Sequence, residues 1–250
     1  MHPDVHRYLK GIYATSFTRG ELPIFKNGDD LFLGGFKNFY SILSEQEEMR
    51  AKEIVALMRG KHKEFQCNFS TKKDIWKTGL VHFLLDLRGC KNKEDRFKCY
   101  SKKTRNQVKG SYKNDFNTKI GKRIPEFYVL YFGTVRRLGG KPKKEQFFDT
   151  LEKYLPNDIQ CFLLFDKEKL IGANYCVRHE NFLSLFFNVS LRDYWQFNIN
   201  NRLYDEMIAW SIENGIQYVD FGPAVRNDST HNHFKLGFGA EKRYIYNKQY

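Results

Sequence analysis

The sequence predicts a mixed α/β (α+β) protein whose largely antiparallel sheet is flanked by helices. Three observations carry this. First, three short apolar stretches, "CFLLFD", "IGANYCVRH" and "FLSLFFNVS", follow one another through turns of hairpin length, "KEK" and "EN". Second, two helical segments precede this meander and one follows it. Third, the chain goes on through an apolar, β-branched strand, "IQYVDFG", and a polar loop to a last strand, "KRYIYN". Helix, helix, three strands, helix, strand, short helix and strand give antiparallel pairs with one crossover.

The elements follow in chain order. "LPIFKNGDDLFLGGF" (22–36) reads as two short strands around an Asn-Gly-Asp turn. "SEQEEMRAKEIVALMRGKH" reads as a helix with Ser44 as N-cap, Glu47 three residues on and Gly60 as stop. Strands are expected at 64–69 and 79–87, then a lysine-rich helix near 101–113. Pro125 opens and Gly139 closes a helix through "PEFYVLYFGTVRRLG", since proline suits a first turn and glycine an end. "KEQFFDTLEKYL" is a second helix, ended by Pro156. After the meander, 200–213 is helical, with Leu203, Met207, Ile208, Ser211 and Ile212 on one face and Asn214-Gly215 as stop.

With 250 residues, 41% of them hydrophobic and 16% aromatic, the chain buries a sizeable core and is globular, not disordered. No apolar run approaches the roughly 20 residues of a membrane span, and the start "MHPDVHRYLKG" lacks a basic-then-apolar leader. Five cysteines without a CxxC pair read as reduced thiols, so a cytoplasmic protein is expected. The net charge of +13 is concentrated: residues 51–150 hold 25 Lys and Arg against 10 Asp and Glu. Within that belt, Lys102, Arg105, Lys109 and Lys113 recur at three- and four-residue spacing, one cationic stripe on a helix. Such a stripe is either a solvated face or a phosphate-reading face for RNA, a nucleotide-linked substrate or an anionic lipid head group.

Several motifs exclude themselves. Asp220-Phe221-Gly222 lacks the companion segments of a kinase. "RRLGGKP" is no phosphate loop, because its Gly-Lys is followed by Pro142. It also fails the acyl-CoA pattern (Gln/Arg)-x-x-Gly-x-(Gly/Ala) at Lys141. His231-x-His233 has no third ligand near it, so both read as polar loop residues, with His233 lining a cleft. No metal and no organic cofactor is expected. DNA is not expected as a partner.

The half from 125 to 250 resembles the acetyltransferase-like (GNAT) fold, in the branch of the FemABX peptidoglycan-bridge aminoacyltransferases. The resemblance rests on "FYVLYFGTVRRLGGKP", "KEKLIGANYCVRHENFLSLFFNVS", "NNRLYDEMIAWSIENGIQYVDFGPA", "HNHFKLGFGAEKRYIY" and, upstream, the basic "YSKKTRNQVKGSYK". That family carries two such folds in tandem. Here residues 1–120 leave room only for an abbreviated N-terminal repeat with the basic helix, and 121–250 hold the C-terminal acyltransferase domain.

The resemblance implies transfer of an aminoacyl group from aminoacyl-tRNA to an amine of a cell-envelope precursor or small peptide. It places Lys235 beside the aminoacyl ester, where an ammonium stabilises the oxyanion of the tetrahedral intermediate, and Phe234 as that lysine's anchor. Asp220 orients the incoming amine, accepts its proton, or simply caps the following loop. Arg226 and Asn188 are expected to face the same cleft, and Arg105 and Lys109 to hold the tRNA or a diphosphate. An anionic membrane surface is a further expected peripheral contact. Two rivals remain open: an acyl-CoA-dependent N-acetyltransferase acting on an amino sugar, and a non-catalytic RNA- or lipid-binding module.

Overall fold

The structure is a computed structural model and describes residues 24–27, 30–34, 41–42, 66–72, 74, 80–179, 181–225 and 227–249. The helix expected over 44–60 lies outside the described residues. The chain divides into two compact units, one comprising 1–83, 223–232 and 242–250, the other 84–222 and 233–241.

In the first unit, strand β1 (Ile24–Asn27) pairs antiparallel with β2 (Asp30–Gly34), with Asn27 opposite Asp30. The short β3 (Ser41–Ile42) and β2 both run parallel to β4 (Gln66–Thr71). The last strand of the chain, Glu241–Gln249, lies antiparallel to β4, with Ile245 opposite Ser70.

The second unit opens at the end of β5 (Leu80–Asp86). Helices α1 (Lys93–Cys99) and α2 (Lys102–Ser111) follow, each started by a side-chain cap: Asn92 accepts from the Asp95 N–H, Ser101 from the Thr104 N–H. Next come β6 (Phe116–Gly121), α3 (Pro125–Arg137) and α4 (Glu145–Tyr154). The meander is β7 (Ile159–Asp166), β8 (Lys169–His179) and β9 (Phe182–Ser190). A 3-10 turn at Arg192–Phe197 leads into α5 (Ile199–Glu213), then β10 (Tyr218–Val225), and α6 (Ser229–Gly237) follows it. The spatial order of these strands is β5-β10-β9-β8-β7-β6. β6 to β9 pair antiparallel, and the α5 crossover makes β10 parallel to β9.

Helices cover both faces of this sheet. On one, α3 buries Phe127, Leu130, Tyr131 and Thr134, a three- and four-residue spacing that forms a single stripe. That stripe meets α4 and the strands in an aromatic cluster: Phe127 and Phe148 lie 5.4 and 5.3 Å from Tyr175, and Tyr131 lies 4.9 Å from Phe187. On the other face α5 buries Leu203, Met207 and Ile208, and the buried Asn174 of β8 donates to the Leu203 carbonyl.

Between β6 and α3, Arg123 donates to Glu145, Asp149 and Glu152, all on α4, and thereby ties that helix to the sheet edge. The carboxylates are partly exposed, so the triple contact is worth less than a buried one. Arg123→Ala is expected to lower stability by about 1–2 kcal/mol, read as a shift of the urea midpoint at unchanged slope. Among the described residues no helix is long and apolar enough to cross a membrane.

Candidate functional site

β9 and β10 pair as parallel neighbours only from Phe182–Tyr218 to Ser184–Asp220, although β9 runs on to Ser190. Two residues beyond the last pair, β9 bulges: Tyr175 of β8 faces Phe187 and Cys176 faces Leu185, leaving Phe186 extra. Bulges redirect a strand and its side chains, and they gather beside reactive sites. Where the parallel pairing ends, three residues of the second unit meet. The Asp220 carboxylate accepts from the Gly222 N–H at 2.9 Å, and the Gly222 carbonyl accepts from Lys235 Nζ at 3.0 Å. Asp220 and Lys235 are both buried, each only 8% exposed. The two residues expected to carry the chemistry are therefore joined through one glycine.

Gly222 has φ +75°, a left-handed backbone, and a Cβ there would sit 3.2 Å from the Leu185 carbonyl oxygen of β9. Both conditions favour glycine. Gly222→Ala is expected to cost about 1–3 kcal/mol, measured by chemical unfolding. Lys235 is aimed by its own helix. Phe234 packs edge-on against Tyr204 of α5 at 5.0 Å and lies 5.4 Å from Phe238, which fixes the rotation of α6. The C-terminal end of α6 is held by α2, where the Ser101 N–H donates to the Gly237 carbonyl at 2.8 Å.

The other expected residues are placed differently. His233 is exposed on α6. Asn188 donates to Asn174 at 2.8 Å and to Asn200 at 3.4 Å, so it belongs to an asparagine cluster where α5 begins. Arg226 lies outside the described residues. Arg105 donates to the carbonyls of Phe97 and Tyr100, capping the end of α1. Lys109 is exposed and lines a cavity of about 860 Å³ between α1, α2 and α5, together with Lys91 and Lys93. Glu94, Glu206 and Glu213 line it too, so its wall carries both signs of charge.

The same cavity is lined by Arg96, Tyr112 and Asp205, members of a cluster with no signal in the sequence. Asp205 of α5 is fully buried and pairs with Arg96 of α1, Nε to Oδ1 at 3.2 Å. The hydroxyls of Tyr100 and Tyr112 donate to the same carboxylate at 3.0 and 2.9 Å. Burial raises the Asp205 carboxyl above the ordinary carboxylate range, while Arg96 and the two phenols hold it back. Both phenols are raised in turn, first by burial and then by the Asp205 charge. The cluster clamps α1 and α2 onto α5. Among the described residues no group of three or more His, Cys, Asp or Glu is placed to hold a metal ion.

Residues 115–236 match the acetyltransferase (GNAT) domain model. The fold is similar to that of FemX, with a TM-score of 0.64 at 13% identity, over 92% of this chain and 86% of that one. It is also similar to the C-terminal domain of an Agrobacterium fabrum protein assigned as a lysylphosphatidylglycerol synthetase (TM-score 0.54, 12% identity, 89% and 78% covered). L-PGS from Bacillus licheniformis gives a TM-score of 0.50 at 12% identity, with 91% and 78% covered. No curated protein matches the chain in sequence.

Proposed function

We propose that the chain, whose residues 115–236 match a GNAT acetyltransferase domain model, transfers an aminoacyl group from aminoacyl-tRNA to an amine of a cell-envelope precursor or small peptide. The observation that carries this reading is the seat of Lys235, a buried ammonium held at the Gly222 carbonyl where the parallel pairing of β9 and β10 ends. Attack of an amine on an ester carbonyl makes a tetrahedral oxyanion. A fixed ammonium in a water-poor site stabilises that charge as it develops. Asp220 acts through Gly222: its carboxylate fixes the glycine N–H, and the same glycine offers Lys235 its carbonyl. On this reading Asp220 is a positioning residue, and Phe234 sets the helix so that Lys235 points inward.

Lys109 and the neighbouring lysines contact the tRNA or a diphosphate, and residues 1–120 derive from an abbreviated first repeat. An aminoacyl donor is favoured by the likeness to a protein assigned as a lysylphosphatidylglycerol synthetase, a name that joins an amino acid to a lipid. An acyl-CoA donor is the second reading, favoured by the match to an acetyltransferase domain model.

The test supplies purified protein and a mixed pool of amines with labelled aminoacyl-tRNAs in one arm and labelled acetyl-CoA in the other. Label passing from tRNA to a small product supports the first reading, and label passing only from the thioester supports the second. No transfer in either arm, with salt-sensitive RNA binding, leaves a binding module. Lys109→Ala is expected to reduce the slope of log affinity for tRNA against log salt by about 1. An unchanged slope removes Lys109 from the phosphate contacts.

A further inference from the structure

Two thiols in the second unit play no part in the acyl-transfer reading. Cys90 lies before α1 and Cys99 is its last residue, and their sulfurs face each other at 3.6 Å. Cys99 is exposed and Cys90 is half-buried. The other two cysteines of the second unit, Cys161 and Cys176, are fully buried on β7 and β8. Chain geometry therefore brings together two accessible thiols from residues nine apart, through the turn that leads into α1.

We propose that Cys90 and Cys99 are an oxidative modification site, closing to a reversible disulfide by exchange with a low-molecular-weight disulfide. Cys99 attacks as thiolate and takes one half of the small disulfide, whose other half leaves as a thiolate. Cys90 then attacks the Cys99 sulfur, the mixed disulfide breaks, and the second small thiol leaves with the proton from Cys90. Two protein thiols are oxidised and one small disulfide is reduced to two thiols.

The division of roles follows exposure. Burial, followed by the contact with Cys99, pushes the Cys90 thiol up to about 11, so it is the resolving partner and the exposed Cys99 the entry point. The pair also touches the segment that carries the candidate site. A Cβ placed on Gly239, two residues after α6, would lie 2.6 Å from the Cys99 carbonyl oxygen and 3.0 Å from its Cβ. The disulfide thus links the turn before α1 to that helix's last residue, beside the turn following Lys235. The proposal stands independently of which acyl donor the protein uses.

The experiment incubates the reduced full chain with oxidised glutathione, blocks remaining thiols with iodoacetamide and maps the peptides by mass. The expected result is a Cys90–Cys99 linked peptide that a dithiol reductant reopens, with Cys161 and Cys176 unlabelled until the protein is denatured. In Cys90→Ser, glutathione is expected to stay on Cys99, because the resolving thiol is gone. A wild-type protein in which both cysteines are alkylated separately, or in which glutathione persists on Cys99, overturns the proposal. So does a linkage of either cysteine to Cys67.

Discussion

Replacing Lys235 by methionine is expected to lower the turnover number for acyl transfer about a hundred- to a thousand-fold, the usual cost of removing one donor from an oxyanion site. Methionine keeps the length and packing of the side chain but has no charge and no donor. The Gly222 carbonyl loses its lysine partner, which costs about 1–3 kcal/mol of stability, so the unfolding midpoint is measured alongside the rate. Lys235→Arg is expected to restore the charge without restoring the rate, because a planar guanidinium does not reproduce a compact ammonium at one carbonyl. The decisive comparison is between turnover number and KM. A group that acts only in the transition state lowers the first and leaves the second nearly unchanged. A folded Lys235→Met protein with undiminished turnover would remove the lysine from the reaction centre.

The second large effect concerns stability. Arg96→Met leaves the fully buried Asp205 carboxylate with phenol donors only. Breaking such a buried pair costs about 3–5 kcal/mol, and the loss is expected to depend on pH in a defined direction. The folded state already holds the Asp205 proton more tightly than the unfolded chain does, chiefly because of burial. Removing Arg96 takes away the leading cause that opposes this. A carboxyl raised on folding favours the folded state more as pH falls through its raised pKa. Arg96→Met is therefore expected to recover part of its lost stability between neutral pH and the ordinary carboxylate range. Asp205→Asn strands the arginine instead, a group that does not titrate in this range, and it is expected to show no such recovery. Urea midpoints of the two variants at several pH values separate these behaviours, and parallel pH profiles would refute the assignment.

The elements most legible in the sequence are those with strong local signals. Pro125 and Gly139 bracket α3, and "FLSLFFNVS" coincides with β9. β6 has no such signal, because its polar, half-exposed "FNTKIG" carries no apolar alternation. α1 is not legible either, because a seven-residue helix shows fewer than two helical periods. At the site, the Phe234-Lys235 pair could be picked out only through family resemblance. The role of Gly222 had a local sign, an aspartate two residues before a glycine, which favours a side-chain-capped turn. Arg105 shows the limit of spacing arguments: it fits the cationic stripe, yet its guanidinium closes the end of α1. Asp205 could not be read at all, since its partners Arg96 and Tyr112 are 109 and 93 residues away.

That separation also has a consequence in time. A ribosome adding about 5–20 residues per second exposes Arg96 on the order of five to twenty seconds before Asp205 emerges. Throughout that window α1 and α2 have no helix to clamp them, and helices this short do not persist alone in water. The most cationic stretch of the chain therefore waits, unpaired and unfolded, beside the polyanionic surface of the ribosome. The second unit becomes foldable only when its last third has been made, so nascent chains arrested before α5 should leave α1 and α2 open to proteases.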